Sequence, residues 1–304
     1  MMKKVMVIFI GVVLVVGVIA TGSYGLSKEN IHIYEQAVSL GNENSNFGFD
    51  GFAITNYPVA FYDGDNDYVI VWKNGDYSIK KRKAVINSIA ATAYSVDGHY
   101  EVLAPTIEKM SSLLKMMSAK DFEYGMKECV ATLWHEAFHC WQLTNYLNNI
   151  DSIGYGEAEK NLIAQYVDTN QQAVDLFEQQ ATLLENAVKT NSIDKIREYI
   201  TQYKKLDEER KALLSDDVTA LEDYYTRVEG TACYIEACVY KMQFPETFSA
   251  NYIDNISEYG GGTNKYYKAG MAQCMILDTL NSQWKEGYDF SELLINLIYT
   301  ELEI

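Results

Sequence analysis

The chain has 304 residues, of which 48% are hydrophobic and 22% charged, so it has the composition of a globular protein with enough length for a sizeable core. Acidic residues outnumber basic ones by 42 to 25, which gives a net charge of −17. A surface of this charge repels phosphate backbones and excludes nucleic acid as an expected partner. Three prolines are too few for a proline-rich linker or tail.

The first residues have the pattern of an export segment. Lys3 and Lys4 precede an apolar run over residues 5–20, and small residues follow it. This pattern predicts a signal peptide, but the run is also nearly long enough to be retained as a membrane anchor. We therefore expect residues 1–26 to be a signal peptide or an N-terminal anchor. The remaining chain is then extracytoplasmic, either secreted or attached to the membrane only through this segment.

The cysteines give little indication of chemistry. All five lie in apolar helical patterns and none has the close spacing of a redox or zinc motif. We interpret them as buried free thiols, with disulfides as the alternative. They are Cys129, Cys140, Cys233, Cys238 and Cys274.

Residues 27–105 are predicted to form a tether and a β-rich part. The tether covers residues 27–46, which are polar and without a clear pattern. Asn74-Gly75 and Asp97-Gly98 mark turns, and the second is the strongest hairpin signal in the chain. β-Branched and aromatic runs predict strands at 59–62, 68–72, 90–96 and 100–103. We expect these strands to form a small antiparallel sheet.

From residue 106 to residue 304 the hydrophobic period lengthens from two to about 3.6, which predicts helices. Ser118 and Ser215 are the expected starts of two of them. The predicted helices cover about 119–147, 157–188, a run from residue 193, 216–243, 265–284 and a last segment from residue 290. Residues 158–214 form an inserted helical hairpin, which we interpret as a packing element or spacer rather than a partner-binding coiled coil. The glycines at 260–262 are interpreted as a flexible joint.

These patterns together predict an α+β fold. We expect a small antiparallel N-terminal sheet packed on a predominantly helical body, with residues 27–304 as a single domain.

Two of the four histidines lie in one short motif, His135-Glu136-Ala-Phe-His139. On the predicted helix they are one turn apart on the same face, so two neutral imidazoles can share one Zn2+ ion. Glu136 is adjacent to the first ligand, and from there its carboxylate can act as a base on a water held by the metal. Chance gives this motif on the order of 0.004 times in such a chain, so we interpret it as a metal site with Glu136 as its catalytic residue. An ordinary helix face with a solvated glutamate is the alternative.

Two histidines do not hold a catalytic zinc securely, so a third ligand is expected. His99 follows a turn and His32 lies in the tether, which makes both poor candidates. Glu229, on the helix 216–243, is followed by small residues that allow this helix to approach the histidine helix closely. Glu236 lies on the same face and could accept a hydrogen bond from a ligand imidazole. A surface glutamate is the alternative interpretation of Glu229.

The motif His135-Glu136-x-x-His139 together with a downstream Glu229-Gly-x-Ala-x-Tyr-x-Glu236 resembles the gluzincin group of zinc metallopeptidases, the thermolysin-like clan. The resemblance covers mainly the two predicted helices that carry these motifs. It implies a zincin-like body in which two helices deliver two histidines and a glutamate to zinc, with the first glutamate as the catalytic base.

The same resemblance implies that a hairpin strand near residues 90–94 pairs with an extended peptide substrate. It also implies a tyrosine or histidine that stabilises the oxyanion, for which the sequence leaves the choice open. The candidates are Tyr224, Tyr225, Tyr266 and Tyr267.

Three features depart from the family pattern. Gln142 and Asn145 occupy the positions where the related metzincins carry glycine and a third histidine, which excludes that group. The interval between the histidines and Glu229 is longer than in compact gluzincins, and a short interval would instead indicate Glu157 or Glu159 as the third ligand. Cys233 stands where thermolysin-like enzymes carry a carboxylate, which leaves the role of Glu236 open.

The sequence therefore predicts an exported zinc metallopeptidase that hydrolyses peptide bonds, with a peptide or protein substrate. One alternative is an exported helical scaffold or partner-binding module without activity. Another is a zinc hydrolase of non-peptide amides.

Overall fold

The computed structural model describes residues 25–43, 47–86, 90–116, 125–150 and 161–304. The protein is α+β, as predicted, with a five-stranded sheet in the N-terminal part and helices in the rest. The chain is divided into two compact units. The first comprises residues up to Phe47 and Gly51–Asn145, and the second comprises Gly48–Asp50 and Tyr146–Ile304. The single domain over residues 27–304 stays a prediction.

The sheet of the first unit has the strand order β3-β2-β1-β5-β4. Its strands are β1 Val59–Tyr62, β2 Asn66–Lys73, β3 Asp76–Lys83, β4 Thr92–Val96 and β5 His99–Pro105. Both predicted two-residue turns are confirmed, and all four of their residues have positive φ: Asn74, Gly75, Asp97 and Gly98. The prediction of an antiparallel sheet was wrong in one respect. Strand β1 pairs in parallel with β5, which makes the sheet mixed.

The predicted tether was wrong over its described part, because Lys28–Glu43 forms the helix α1. The rest of the tether, residues 44–46, lies outside the described residues. One face of α1 is buried, with Ile33, Tyr34 and Ala37 each 0% exposed. The indole of Trp134 donates a hydrogen bond to the Ala37 carbonyl at 3.1 Å, so α1 is part of the core of the first unit.

The histidine motif lies on helix α3, Met126–Ile150. The predicted start at Ser118 lies outside the described residues. The backbone of Tyr146 departs from helical geometry and interrupts α3 near its end. Phe52, from the turn before β1, packs edge-on against the rings of Trp134 and Phe138, which fixes the rotation of α3. A short 3-10 turn, Ile54–Asn56, and the helix α2, Ile107–Met116, complete the first unit.

The second unit is helical. Its helices are α4 Gln171–Val188, α5 Ile193–Lys211, α6 Asp216–Tyr224, α7 Gly230–Gln243, α8 Pro245–Phe248, α9 Asn264–Leu280 and α10 Leu294–Leu302. The unit also has three π-helical turns. Ile163–Val167 precedes α4, Tyr225–Glu229 joins α6 to α7, and Ser249–Ile253 follows α8. The side chains of Ser192 and Ser215 cap α5 and α6, so the predicted start at Ser215 is confirmed.

The predicted helical hairpin is present as α4 and α5, with a correction at its start. A continuous helix through Asn170 was wrong, because the Asn170 side chain accepts a hydrogen bond from the Ala173 amide and caps α4. Burial supports the packing interpretation of the hairpin. Arg210 of α5 is 4% exposed and pairs with Glu222 of α6 at 2.7 Å. Burial lowers the pKa of Arg210, but the Glu222 carboxylate raises it above its ordinary value.

Helices α7 and α9 contact each other through two glycines. A Cβ atom added to Gly230 would lie 2.5 Å from the Cα atom of Gly270. One added to Gly270 would lie 1.9 Å from the Thr226 carbonyl oxygen. Only glycine at both positions permits this approach, because the obstructing atoms are backbone.

The substitution Gly270→Ala should therefore lower the free energy of unfolding by about 3 kcal/mol, measured by urea denaturation. Gly260→Ala is the matched control, since no atom lies within 4 Å of a Cβ atom added there. We expect the control to change stability by less than about 0.5 kcal/mol. Equal stabilities of the two variants would contradict the close contact of the glycines.

The predicted flexible joint at 260–262 is held by Asp168. The Gly262 amide and the Tyr259 hydroxyl each donate to the Asp168 carboxylate at 2.7 Å, and the Lys265 ammonium also pairs with it. Burial alone raises the pKa of Asp168, but the hydrogen bonds from Lys265, Tyr259 and the Gly262 amide lower it below the ordinary value of 3.8.

A carboxylate with a lowered pKa stabilises the folded state above its ordinary pKa and loses this effect as the pH falls through its folded-state pKa. The stability difference between the parent and Asp168→Asn should therefore be large at neutral pH and shrink below about pH 4. Asp194→Asn, at a side chain that is 96% exposed, is the control and should show no such pH dependence. A difference that is the same at pH 7 and at low pH would refute the role of the Asp168 charge.

Candidate metal centre

Helix α3 presents two histidine rings on one face, as predicted. The ring centroids of His135 and His139 are 4.8 Å apart, and their Nε2 atoms are 3.1 Å apart. His135 is 1% exposed and His139 is 9% exposed. Two nitrogens bound to one tetrahedral zinc are about 3.3 Å apart, so the observed separation already suits a shared ion.

Gln142 fixes the orientation of one of these rings. Its side-chain oxygen lies 2.7 Å from Nδ1 of His139. An amide oxygen accepts a hydrogen bond, so this contact favours the tautomer with the proton on Nδ1, which leaves the Nε2 lone pair for a ligand. From the sequence, Gln142 served only as a reason to exclude the metzincins. Its spacing of three residues from His139 on a helix was the signal that could have revealed this contact.

Glu136 lies beside the histidine face and is 5% exposed. A buried carboxylate is costly unless it is paired, which makes this position unusual for a merely solvated glutamate. The alternative of an ordinary exposed helix face is therefore not supported, because all three polar residues of the motif are buried.

The cysteines of the described chain are free thiols, as predicted. Four are buried, and Cys238 is partly buried. Cys140 follows directly after His139, and burial raises the pKa of its thiol well above the ordinary value, as does the nearby Glu136 carboxylate. It is therefore a neutral thiol, which is a weak metal ligand.

Glu229 is the last residue of the π-helical turn Tyr225–Glu229 and directly precedes α7. The Thr231 hydroxyl donates to the carbonyl oxygens of Arg227 and Val228 at 2.8 and 2.9 Å, and so satisfies backbone acceptors of this widened turn. π-Turns of this kind are frequent at functional sites. The sequence did not predict the turn, although the Glu-Gly-Thr order contains both the glycine and the hydroxyl that it uses.

One of the small residues after Glu229 has a contact that the sequence did not predict. Gly230 contacts Gly270 of α9, as described above. The expected approach of this helix to the histidine helix stays a prediction.

Three side chains form a group that could hold a metal ion: His135, His139 and Glu229. Each offers one ligand atom, and these atoms all lie within 4.8 Å of one another. Two imidazoles and a carboxylate are a ligand set suited to zinc. The three residues predicted as metal ligands are thus the three that make up this group.

The other predicted residues have these positions. Glu236 accepts a hydrogen bond from the Tyr252 hydroxyl at 2.9 Å, and its contact with a ligand imidazole stays a prediction. Glu157 and Glu159 lie outside the described residues and stay rival ligands. His99 is half exposed and pairs with Glu101 at 2.9 Å, which confirms it as a hairpin residue.

Comparison of the chain with family models, with curated proteins and with solved structures gave no match.

Within the described residues, no helix is both long enough and apolar enough to span a bilayer. The apolar run at 5–20 lies outside them.

The contact between Gln142 and His139 yields a prediction for metal affinity. Gln142→Ala should weaken zinc binding by about 10- to 100-fold, measured by competition with a chelator, because the ring loses the acceptor that fixes its proton on Nδ1. Gln142→Glu keeps an acceptor of the same length and should retain the affinity. A Gln142→Ala variant that binds zinc as tightly as the parent would show that this contact does not prepare the ligand.

Proposed function

We propose that the protein is a zinc-dependent peptidase that hydrolyses peptide bonds. The observation that supports this most strongly is the grouping of the His135, His139 and Glu229 ligand atoms, next to a buried glutamate that directly follows the first histidine. The resemblance of these motifs to gluzincins, and the pattern of an export segment at residues 1–26, support an extracytoplasmic peptidase of that group.

In this proposal His135, His139 and Glu229 hold the ion. When bound, zinc would supply a Lewis acid that polarises the substrate carbonyl and activates water. Gln142 keeps the His139 ring in the tautomer and orientation that ligation requires.

Glu136 is the proposed general base. Its carboxylate would take a proton from the attacking water and return it to the leaving amine. Its near-complete burial supports this role, since exclusion of water strengthens electrostatic interactions with the reacting atoms.

Strand β4 is the proposed binding edge for an extended substrate. It is the last strand of the sheet, paired only with β5 among the described strands, and Tyr94 on it is 39% exposed. An open edge of this kind can add a peptide as a further strand through main-chain hydrogen bonds.

Glu136→Gln tests the proposal. This variant should bind one zinc per chain like the parent but lose peptide hydrolysis by at least about 100-fold, because the amide cannot accept the proton. Metal content by mass spectrometry and cleavage of an unstructured protein substrate are the two measurements. Glu198→Gln, at an exposed site on α5, removes the same charge and should keep full activity.

The outcomes separate the alternatives. A parent protein that purifies without stoichiometric zinc and binds none when it is added would indicate a scaffold or partner-binding module. Zinc binding with Glu136-dependent hydrolysis of simple amides but not of peptides would indicate an amidase. Undiminished peptide hydrolysis by Glu136→Gln would refute the assigned base.

A further inference from the structure

The edge strand β3 carries a concentration of positive charge that contrasts with the rest of the chain. Four basic residues follow one another at its end, Lys80, Lys81, Arg82 and Lys83, in a chain with a net charge of −17. Strand β3 is the outermost strand on its side of the sheet and pairs only with β2 among the described strands. We call these four residues the basic strand.

Three of the four basic residues are exposed, and one of these, Lys81, also lies over the Tyr68 ring at 5.2 Å. Arg82 is used within the first unit, where it forms ion pairs with the buried carboxylates of Asp67 and Glu101 at 3.1 and 2.5 Å. The lysines on either side of it, at 80, 81 and 83, are exposed. Two apolar side chains beside them are also exposed, Ile79 at 37% and Val85 at 38%.

The basic strand lies close to the helix that follows the export segment. The Tyr77 hydroxyl at the start of β3 donates to Glu35 of α1 at 2.7 Å, and the rings of Tyr77 and Tyr34 are 5.5 Å apart. Glu35 is about 10 Å along α1 from its first residue, Lys28. Residues 21–27 connect the apolar run to α1, and a fully extended chain of this length spans at most about 25 Å.

We propose that the basic strand contacts the anionic surface of the membrane in which residues 5–20 are retained as an anchor. This inference rests on the anchor alternative for the export segment and is independent of the proposed peptidase activity.

Charge and position favour a lipid surface as the partner. A body with a large negative charge that is tethered to an anionic bilayer is repelled by it, unless a positive region turns towards the lipid. Lys81 and Lys83 share one face of β3 with exposed Ile79, and exposed Lys80 lies on the other face. The outer edge of the sheet therefore offers charge for the headgroups and apolar surface for the boundary beneath them. Each lysine near such a surface raises the equilibrium constant for contact by about fivefold, so three lysines raise it on the order of a hundredfold.

A single fluorescent label tests the contact. In Ser78→Cys, the new thiol is on exposed β3, whereas the native cysteines of the described chain are buried or partly buried, so an environment-sensitive dye should react at residue 78. The full chain is reconstituted into vesicles of phosphatidylcholine alone, or of phosphatidylcholine with phosphatidylglycerol. The anchor is the same in both, and only the surface charge differs.

We expect a blue shift of the dye in the anionic vesicles only, reversed by high salt because the attraction is electrostatic. The triple variant Lys80→Gln, Lys81→Gln, Lys83→Gln should lose this shift. The control Lys195→Gln, Lys205→Gln, Lys241→Gln removes the same charge from exposed sites of the second unit and should keep it.

Identical emission in neutral and anionic vesicles would overturn the proposal, and would mean that these lysines only prevent edge-to-edge association. A chain that does not stay with the vesicles would overturn it as well, since the anchor would be absent. Loss of the shift in the control variant would show a response to net charge alone. The zinc content of the triple variant should equal that of the parent, so none of these failures affects the proposed peptidase.

Discussion

The burial of polar side chains on one helix is the constraint from which the interpretation of this protein follows. His135, Glu136 and His139 lie on α3 and are between 1% and 9% exposed. Burying such groups is unfavourable unless each has a partner, and two imidazole nitrogens 3.1 Å apart need a shared proton or cation between them. In the proposed metal centre a divalent ion would lie between the two rings, with Gln142 as the acceptor on the far side of His139.

Apolar packing on the other faces of α3 holds these residues in place. Trp134 donates to the Ala37 carbonyl, and the rings of Phe52 and Phe138 pack edge-on at 5.0 Å. The polar residues therefore lie among the buried rings of Trp134, Phe138 and Trp141, on a helix that has little freedom to rotate. The same principle operates on the other candidate ligand, because the contact of Gly230 with Gly270 fixes the start of α7 directly after Glu229.

Local features of the fold could be predicted from the sequence because short-range chemistry determines them. Asp97-Gly98 adopts the positive φ values of a hairpin turn, and Ser215 caps α6, in both cases as expected. The parallel pairing of β1 with β5 could not be predicted in the same way, because it joins segments that are far apart in sequence. Helix α1 was missed although its buried residues Ile33, Tyr34, Ala37 and Val38 recur at the spacing of a helix, so this element could have been predicted from its pattern.

The three candidate ligands could be chosen from sequence because imidazole and carboxylate chemistry restricts the choice. The structural features around these ligands were harder to predict. Gln142 acts through a side-chain contact. The π-turn before α7 contacts α9, because the Thr226 carbonyl and Gly230 lie against Gly270, and that helix follows much later in the chain.

The most direct test of the central claim is a crystal structure of the zinc-loaded protein with anomalous diffraction measured at the zinc absorption edge. We expect one anomalous peak, at about 2.0–2.2 Å from Nε2 of His135, Nε2 of His139 and a carboxylate oxygen of Glu229. A peak ligated by Glu157 or Glu159 in place of Glu229 would contradict the assigned third ligand. A peak away from the two histidines, or none at all, would contradict the metal centre itself.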